Sequence, residues 1–495
     1  MWTSIWSGME AIFSNSTGTI VFLSALFGGM IFGVIPGISL LTLGAIILPF
    51  TAFLNPEYAI MFFAVIYCTG VFGGAITAIL FNIPGSPENA PTAFDGYPMT
   101  QRGEAGRAVG AAVLCSAIGG IASAVLMISA TPVIADWAVG AFSSREIFAL
   151  IVFGISVAAS VGATSLWKGW ASVLLGLLLA TVGTDPAGGV DRFSFGSYSL
   201  LAGIHFIPVI LGLFAVSEVL EQARRLSSGT SQVNRISMDL PSFLEFWRLK
   251  YTILRSIFIG FFAGVLPGIG ATLAAFLSYG EAVRWSRKDA HFGKGDIRGV
   301  VASETANNAA TGAAMIPLLA LGLPGGALTA MMLGVFQIHN VEAGPLIFMT
   351  NPDSVSIVFA SMLLANILIF ALGWVQTKTV VHMLRVPFQF LAPAIVVLAL
   401  IGAFAVRNLM YDVWVMLAAA IIGYFMKRSG YSPAGIVLGL VLGEIGEDSF
   451  VKSMQFMDYE WWSFFTQPYS AILLVASLLT ILSSLIKEMR RLRGE

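Results

Sequence analysis

Apolar stretches of roughly 20 residues recur from Thr19 to near the C-terminus, separated by short polar breaks, and a stretch of that length matches the hydrocarbon thickness of a bilayer. In lipid every backbone N–H and C=O must find its partner within the chain, which leaves helices and closed barrels as the only spanning structures. Runs this long and this continuously apolar read as helices. The expectation is an all-α, polytopic membrane protein of about ten to twelve transmembrane or broken, re-entrant helices. Composition points the same way, because 57% of the 495 residues are hydrophobic and 11% are charged, against about a quarter charged in soluble domains. The net charge of −1 and the absence of a basic-aromatic tract argue against a nucleic-acid partner. The first apolar segment has no basic stretch before it and is expected to be retained, in contact with membrane lipids.

Self-similarity divides the chain. Phe32-Gly33-Val34-Ile35-Pro36-Gly37-Ile38 returns as Ala263-Gly264-Val265-Leu266-Pro267-Gly268-Ile269, and a second break follows each copy, Asn82-Ile83-Pro84-Gly85-Ser86 in one half and Gly322-Leu323-Pro324-Gly325-Gly326 in the other. Basic residues in short loops mark the cytoplasmic side. Arg284, Arg287, Lys288, Lys294 and Arg298 follow the first break of the second half, whereas the matching loop around Asn55-Pro56-Glu57 has none. After the second break the relation reverses, with Arg102 and Arg107 in the first half and no basic residue from Gln337 to Gly344. Opposite loops therefore carry the charge, as two inverted homologous repeats require. The resulting plan has a periplasmic or interfacial segment (1–18), a first membrane repeat (19–216), a cytoplasmic linker (217–250), a second membrane repeat (251–486) and a basic cytoplasmic tail (487–495).

Proline removes a helix donor and the glycine after it frees the backbone, so each Pro-Gly pair interrupts a span. Interrupted spans are tolerated where protein or water satisfies the freed groups, which makes them candidate transport sites, with half-helix N–H groups available to an anion. The substrate-binding candidates are Pro36, Gly37, Ser39, Asn82, Pro84, Gly85 and Ser86 in the first half, with Pro267, Gly268, Gly270, Thr272, Pro324, Gly325 and Gly326 in the second. Glu88, Asn89, Thr92 and Asp95 extend the polar run, with solvated-loop carboxylates as the plainer reading of Glu88 and Asp95. Between the second half's breaks, Ser303 to Thr311 is a small-residue helix in which Asn307 and Asn308 are further substrate candidates and Glu304 and Thr311 are coupling-ion candidates. Glu304 could equally serve to stabilise a helix start. Glu444, Glu447 and Asp448 read as a solvated helix end, and Cys68 and Cys115 as buried small hydrophobes. No nucleotide-binding, zinc or nucleophile motif is present, so the chain is not read as an enzyme and no cofactor is expected.

These residues together resemble the large membrane subunit of tripartite tricarboxylate transporters, the TctA-type permeases. The resemblance rests on Gly-Val-Ile-Pro-Gly, Gly73-Gly74, Asn82-Ile83-Pro84-Gly85-Ser86 and Asp95-Gly96-Tyr97-Pro98 in the first half. In the second it rests on Leu266-Pro267-Gly268-Ile269-Gly270, Phe292-Gly293-Lys294-Gly295, Glu304 with Asn307-Asn308, and Leu323-Pro324-Gly325. It departs at Ala75, where the family often places serine after the paired glycines. The resemblance implies a secondary transporter in the bacterial inner membrane, fed with an organic-acid substrate by a periplasmic solute-binding protein and completed by a small membrane subunit. A sodium ion or proton would be the co-substrate. A stand-alone carrier or channel for an organic anion is the alternative.

Overall fold

The computed structural model describes residues 2–35, 39–161, 165–185, 188–225, 242–266, 270–286, 291–383 and 388–493. It is 83% helical, and the only sheet among the described residues pairs Gly183–Thr184 with Asp191–Arg192, so the fold is all-α. Among the described residues, seven helices are long and apolar enough to cross a membrane: Ser16–Val34, Pro56–Phe81, Ala105–Ala141, Phe206–Arg224, Pro352–Thr377, Met410–Ser429 and Pro468–Ile486. Shorter apolar helices include Leu40–Phe53, Leu166–Ala180, Ala327–Ile338 and Leu391–Arg407. A helix that is apolar on every face belongs in the centre, and Pro56–Phe81 is buried continuously from Tyr58 to Leu80. The peripheral helix Pro468–Arg493 instead exposes Ile472, Leu478 and Leu482, a surface suited to lipid. Trp2–Phe13 rests on Pro352–Met383, with Gly8 close against the Ser356 carbonyl.

Small residues let the central helices approach closely. Gly29 and Gly33 of Ser16–Val34 lie on Ile66, Thr69, Gly70 and Gly73 of Pro56–Phe81, so near that a Cβ at Gly33 would stand 2.5 Å from the Gly70 oxygen. Gly260 and Gly264 of Lys250–Val265 lie in the same manner on Ala306, Ala309, Ala310 and Ala313, with 2.6 Å between a Cβ at Gly264 and the Ala310 oxygen. The two sets of partners correspond one to one at a constant shift along the sequence.

At the first break of each half, helices stop at Val34 and Val265 and resume at Leu40 and Gly270. Pro36, Gly37, Pro267 and Gly268 lie outside the described residues. The second breaks share a backbone path. Asn82 and Gly322 both end their helices in the left-handed conformation (φ 56° and 72°), and the next residue donates back into the helix, Ile83 to Thr77 at 3.4 Å and Leu323 to Pro317 at 3.0 Å. Ser86 and Gly326 then lead, in extended conformation, into Pro87–Asn89 and Ala327–Ile338.

Charged loops gather with charged loops. Arg102 donates to the Gly295 carbonyl at 2.5 Å, Arg107 pairs with Glu245 of the segment Phe243–Arg248, and Lys427 pairs with Glu218 at 2.7 Å. The ends without Lys or Arg also meet, where the His339 ring lies 3.1 Å from the carbonyl of Thr51, in the helical turn Leu48–Phe53 before the Asn55 loop. The polar connection expected over 217–250 is helical at its described ends, and Ser217 is fully buried in a helix that runs on to Arg225. Glu444, Glu447 and Asp448 fall inside Pro433–Phe456 rather than at its end, where Arg192 pairs with Glu447 and Lys452 with Asp448.

Candidate functional site

The polar groups of the second break in the first half and of Ile297–Ala313 in the second meet at one buried cluster. Its centre is the Glu304 carboxylate, which is fully buried. Oε1 accepts from the Thr92 hydroxyl at 2.5 Å and from Asn307 Nδ2 at 3.3 Å, with Asn89 Nδ2 3.5 Å away, and Oε2 accepts from the Ser116 hydroxyl at 3.0 Å. The helix starts at Ile297 behind an Asp296 cap, so Glu304 stands about two turns inside it and not at its start. Donors fill this carboxylate, so it acts as a joint between Ala90–Gln101, Ala105–Ala141 and Ile297–Ala313.

Around the joint, Ser86 donates to Asn89 Oδ1 at 2.6 Å, and Asn89 Nδ2 donates to the Val71 carbonyl at 2.9 Å. Asn307 Nδ2 also reaches the Glu88 carbonyl at 3.4 Å, tying Ile297–Ala313 to the break backbone. The polar stripe divides here. Asn308 Nδ2 bonds the Asn307 oxygen at 2.7 Å and the Glu304 carbonyl at 3.0 Å, while its Oδ1, fully buried, has no hydrogen-bond partner. Thr311 donates to the Asn308 carbonyl at 2.8 Å and lies 3.9 Å from Cys68 Sγ, which in turn is 3.4 Å from Asn366 Nδ2.

The remaining candidates have more local roles. Asn82 has an exposed side chain and sits at a left-handed helix end, a conformation that asparagine accepts more readily than other non-glycine residues. Pro84 is half-buried, and Gly85 donates its N–H to the Gly74 carbonyl at 3.3 Å and packs under the Gly33 carbonyl. Ser39 precedes Leu40–Ile47 without a side-chain cap bond. Gly270 (φ 60°) faces the Gly325 carbonyl, which joins the two breaks of the second half. Pro324 and Gly325 are buried, Gly326 is half-buried, and Thr329 closes the turn by bonding the Gly326 backbone at 2.8 Å. Thr272, half-buried, neighbours Glu88.

Three groups outside the expected substrate and ion set prove central. Asn89 and Thr92 lie within the polar run already noted, but Ser116 gives no signal of its own in an alanine- and glycine-rich helix. Asp95 is a latch and not a solvated carboxylate: fully buried, it accepts from Tyr279 Oη at 2.9 Å and from the N–H groups of Gly295 and Asp296 at 2.9 and 2.8 Å. At the cap of Ile297–Ala313, burial alone would raise the Asp296 carboxyl, but the Arg298 guanidinium and backbone N–H hold it below the ordinary range. Its contribution to stability is therefore present above the unfolded-state value and lost as pH falls through the folded one. In an Asp95→Ala variant, a cysteine placed at Lys294 should react at least about tenfold faster with maleimide, since losing such charge-assisted bonds costs over ~1.4 kcal/mol. Unchanged labelling would refute the latch.

Residues 19–438 match the tripartite tricarboxylate transporter TctA family. Two proteins of Agrobacterium vitis are similar to the chain. The uncharacterized 52.8 kDa protein in the TAR-I ttuC' 3'region is 35% identical over 474 residues, 96% of this chain and 94% of that protein. An uncharacterized protein in the TAR-II ttuC' 3'region is 36% identical over 236 residues, 48% of this chain and 98% of that protein. No solved structure matches.

Proposed function

Because the chain belongs to the tripartite tricarboxylate transporter TctA family, we propose that it is the large permease subunit of a binding-protein-dependent secondary transporter that imports an organic acid across the bacterial inner membrane. A periplasmic solute-binding protein delivers the carboxylate, a small membrane subunit completes the permease, and a sodium or proton gradient drives uptake. The observation that carries this reading is the family match across most of the chain. The recurring helix breaks beside a buried polar cluster support where transport occurs.

In this reading the two halves are inverted repeats whose breaks meet near the membrane midplane, and the recurring glycine contacts and the grouping of charged loops support it. The carboxylate binds to N–H groups at the start of Ala327–Ile338 after Gly326; the matching start after Ser86 opens on Pro87, which has no N–H, and its Asn89 N–H is donated to the Ser86 carbonyl. No Lys or Arg precedes Arg102, and none lies between Gly299 and Thr377. Helix ends and a co-transported cation must then offset the substrate's charge.

Proteoliposomes carrying the chain with its small subunit should take up labelled citrate or a dicarboxylate only with the binding protein outside and a cation gradient imposed. Uptake by this chain alone would establish a stand-alone carrier instead.

A further inference from the structure

The constant shift that relates the two halves sets Glu304 against Ala64, Asn307 against Tyr67 and Thr92 against Met332, all buried, so only one of two equivalent interior locations is polar. A separate concentration of charge lies outside this interior, at an end of the bundle where charged segments gather. There Ser217–Arg225 packs on Met410–Ser429. A cavity of about 320 Å³ opens between them, lined by Glu218, Glu221, Arg224, Lys427 and Arg428. Sites for small ligands begin at about that size, ~300 Å³.

The cavity walls carry three cations and two carboxylates. Lys427 Nζ donates to Glu218 Oε2 at 2.7 Å, Gln222 donates to Glu218 Oε1 at 3.1 Å, and Arg224 pairs with Glu221 at 3.4 Å. Arg428 pairs with no carboxylate among the described residues: its guanidinium donates to Tyr424 Oη at 3.2 Å and lies over that ring. One positive charge is therefore left over. Lys168, whose Nζ donates to the Ser429 carbonyl at 2.6 Å, adds another beside the cavity.

On the membrane side of these charges the surface is apolar. Phe425 and Ile421, one and two turns before Arg428 on the same helix face, are exposed, as is Leu220, one turn before Arg224. Both helices belong to spans that are long and apolar enough to cross a membrane, so these side chains meet acyl chains while the cavity stands at headgroup level. A phosphodiester brings one negative charge and oxygens that a guanidinium grips by two N–H groups. A soluble anion would gain nothing from Phe425 and Ile421, whereas a lipid uses both the charge and the apolar strip below it.

We propose that this cavity seats the phosphodiester headgroup of an anionic phospholipid, with Arg428 as its principal contact and the acyl chains along Phe425, Ile421 and Leu220. A lipid held there bridges two helices whose paired residues, Glu218 and Lys427, lie 209 positions apart in the chain. The site is independent of what the protein carries. In native mass spectrometry of the purified full-length chain, phosphatidylglycerol titrated into a neutral detergent should add one lipid saturably. Arg428→Gln should raise its dissociation constant about fivefold, the loss of one basic residue's attraction for an anionic lipid. Lys452→Gln, which removes an exposed lysine that lines no part of the cavity, should leave binding unaltered. If Arg428→Gln does not fold, Phe425→Ser decides, since it leaves every charge in place and should still weaken the lipid. Binding equal to that of the unaltered chain in the deciding variant, or an equal loss in Lys452→Gln, would overturn the site. Phosphatidylcholine, which has the same phosphodiester but no net charge, should bind more weakly, and parity with phosphatidylglycerol would overturn the anionic headgroup. Displacement of the lipid by inorganic phosphate at matched concentration would assign the cavity to a soluble anion and overturn the proposal as well.

Discussion

Gly85→Ala should abolish uptake and destabilise the purified chain by about 1–3 kcal/mol, the range for overpacking a closed interior. A Cβ at position 85 would stand 2.2 Å from the Gly33 carbonyl oxygen and 2.6 Å from Gly74 Cα. Both are backbone atoms of spanning helices, so no rotamer change relieves the clash, and the break must move away from Ser16–Val34 and Pro56–Phe81 together. Gly326→Ala provides the comparison at the other second break. There the nearest heavy atom to an added Cβ is 3.9 Å away and the backbone is extended (φ −174°), so stability should be unchanged. Thermal midpoints in detergent and uptake in proteoliposomes measure both, and a Gly85→Ala protein as stable as the unaltered chain would contradict the packing.

Glu304→Ala should cost more, about 3–5 kcal/mol, because removing one member of a buried polar network strands its partners. Thr92, Ser116 and Asn307 are fully buried and each donates to this carboxylate, with Asn89 adjacent. Glu304→Gln keeps one acceptor oxygen but turns an amide donor toward another donor, so its loss should be intermediate. Equal thermal midpoints for Ala and Gln variants would show that charge alone, and not the matching of donors, holds the joint. Ala64, the equivalent position in the first half, should accept serine with far smaller effect, since no such network converges there.

The spans and the second breaks were legible because each has a local physical signature: length with apolarity, and proline followed by glycine. Asn307 and Asn308 stood out because two amides inside a small-residue helix need partners that lipid cannot provide. What the sequence did not disclose is who those partners are. Ser116 lies 188 positions from Glu304 in the chain, and no periodicity in an alanine- and glycine-rich helix marks one serine above its neighbours. Asn82 reads as a ligand because it stands beside a Pro-Gly break, and the structure adds what that spacing does not show, a left-handed backbone that Gly322 adopts in the second half. Asp95 looked like a loop carboxylate because its partners, Tyr279 and the backbone of Gly295 and Asp296, belong to the other half. Side chains that bridge halves are invisible to any reading that proceeds along one of them.

The correspondence between Glu304, Asn307 and Thr92 on one side and Ala64, Tyr67 and Met332 on the other also governs how such a chain can drift over generations. A hydrogen-bonded set tolerates a change at one member only when another member changes to match it, whereas an apolar set accepts any exchange that preserves volume. Two segments held to the same backbone path are thus released from each other's history. Across related lineages the Ala64 set should accumulate independent exchanges, while the Glu304 set should either stand still or change in concert.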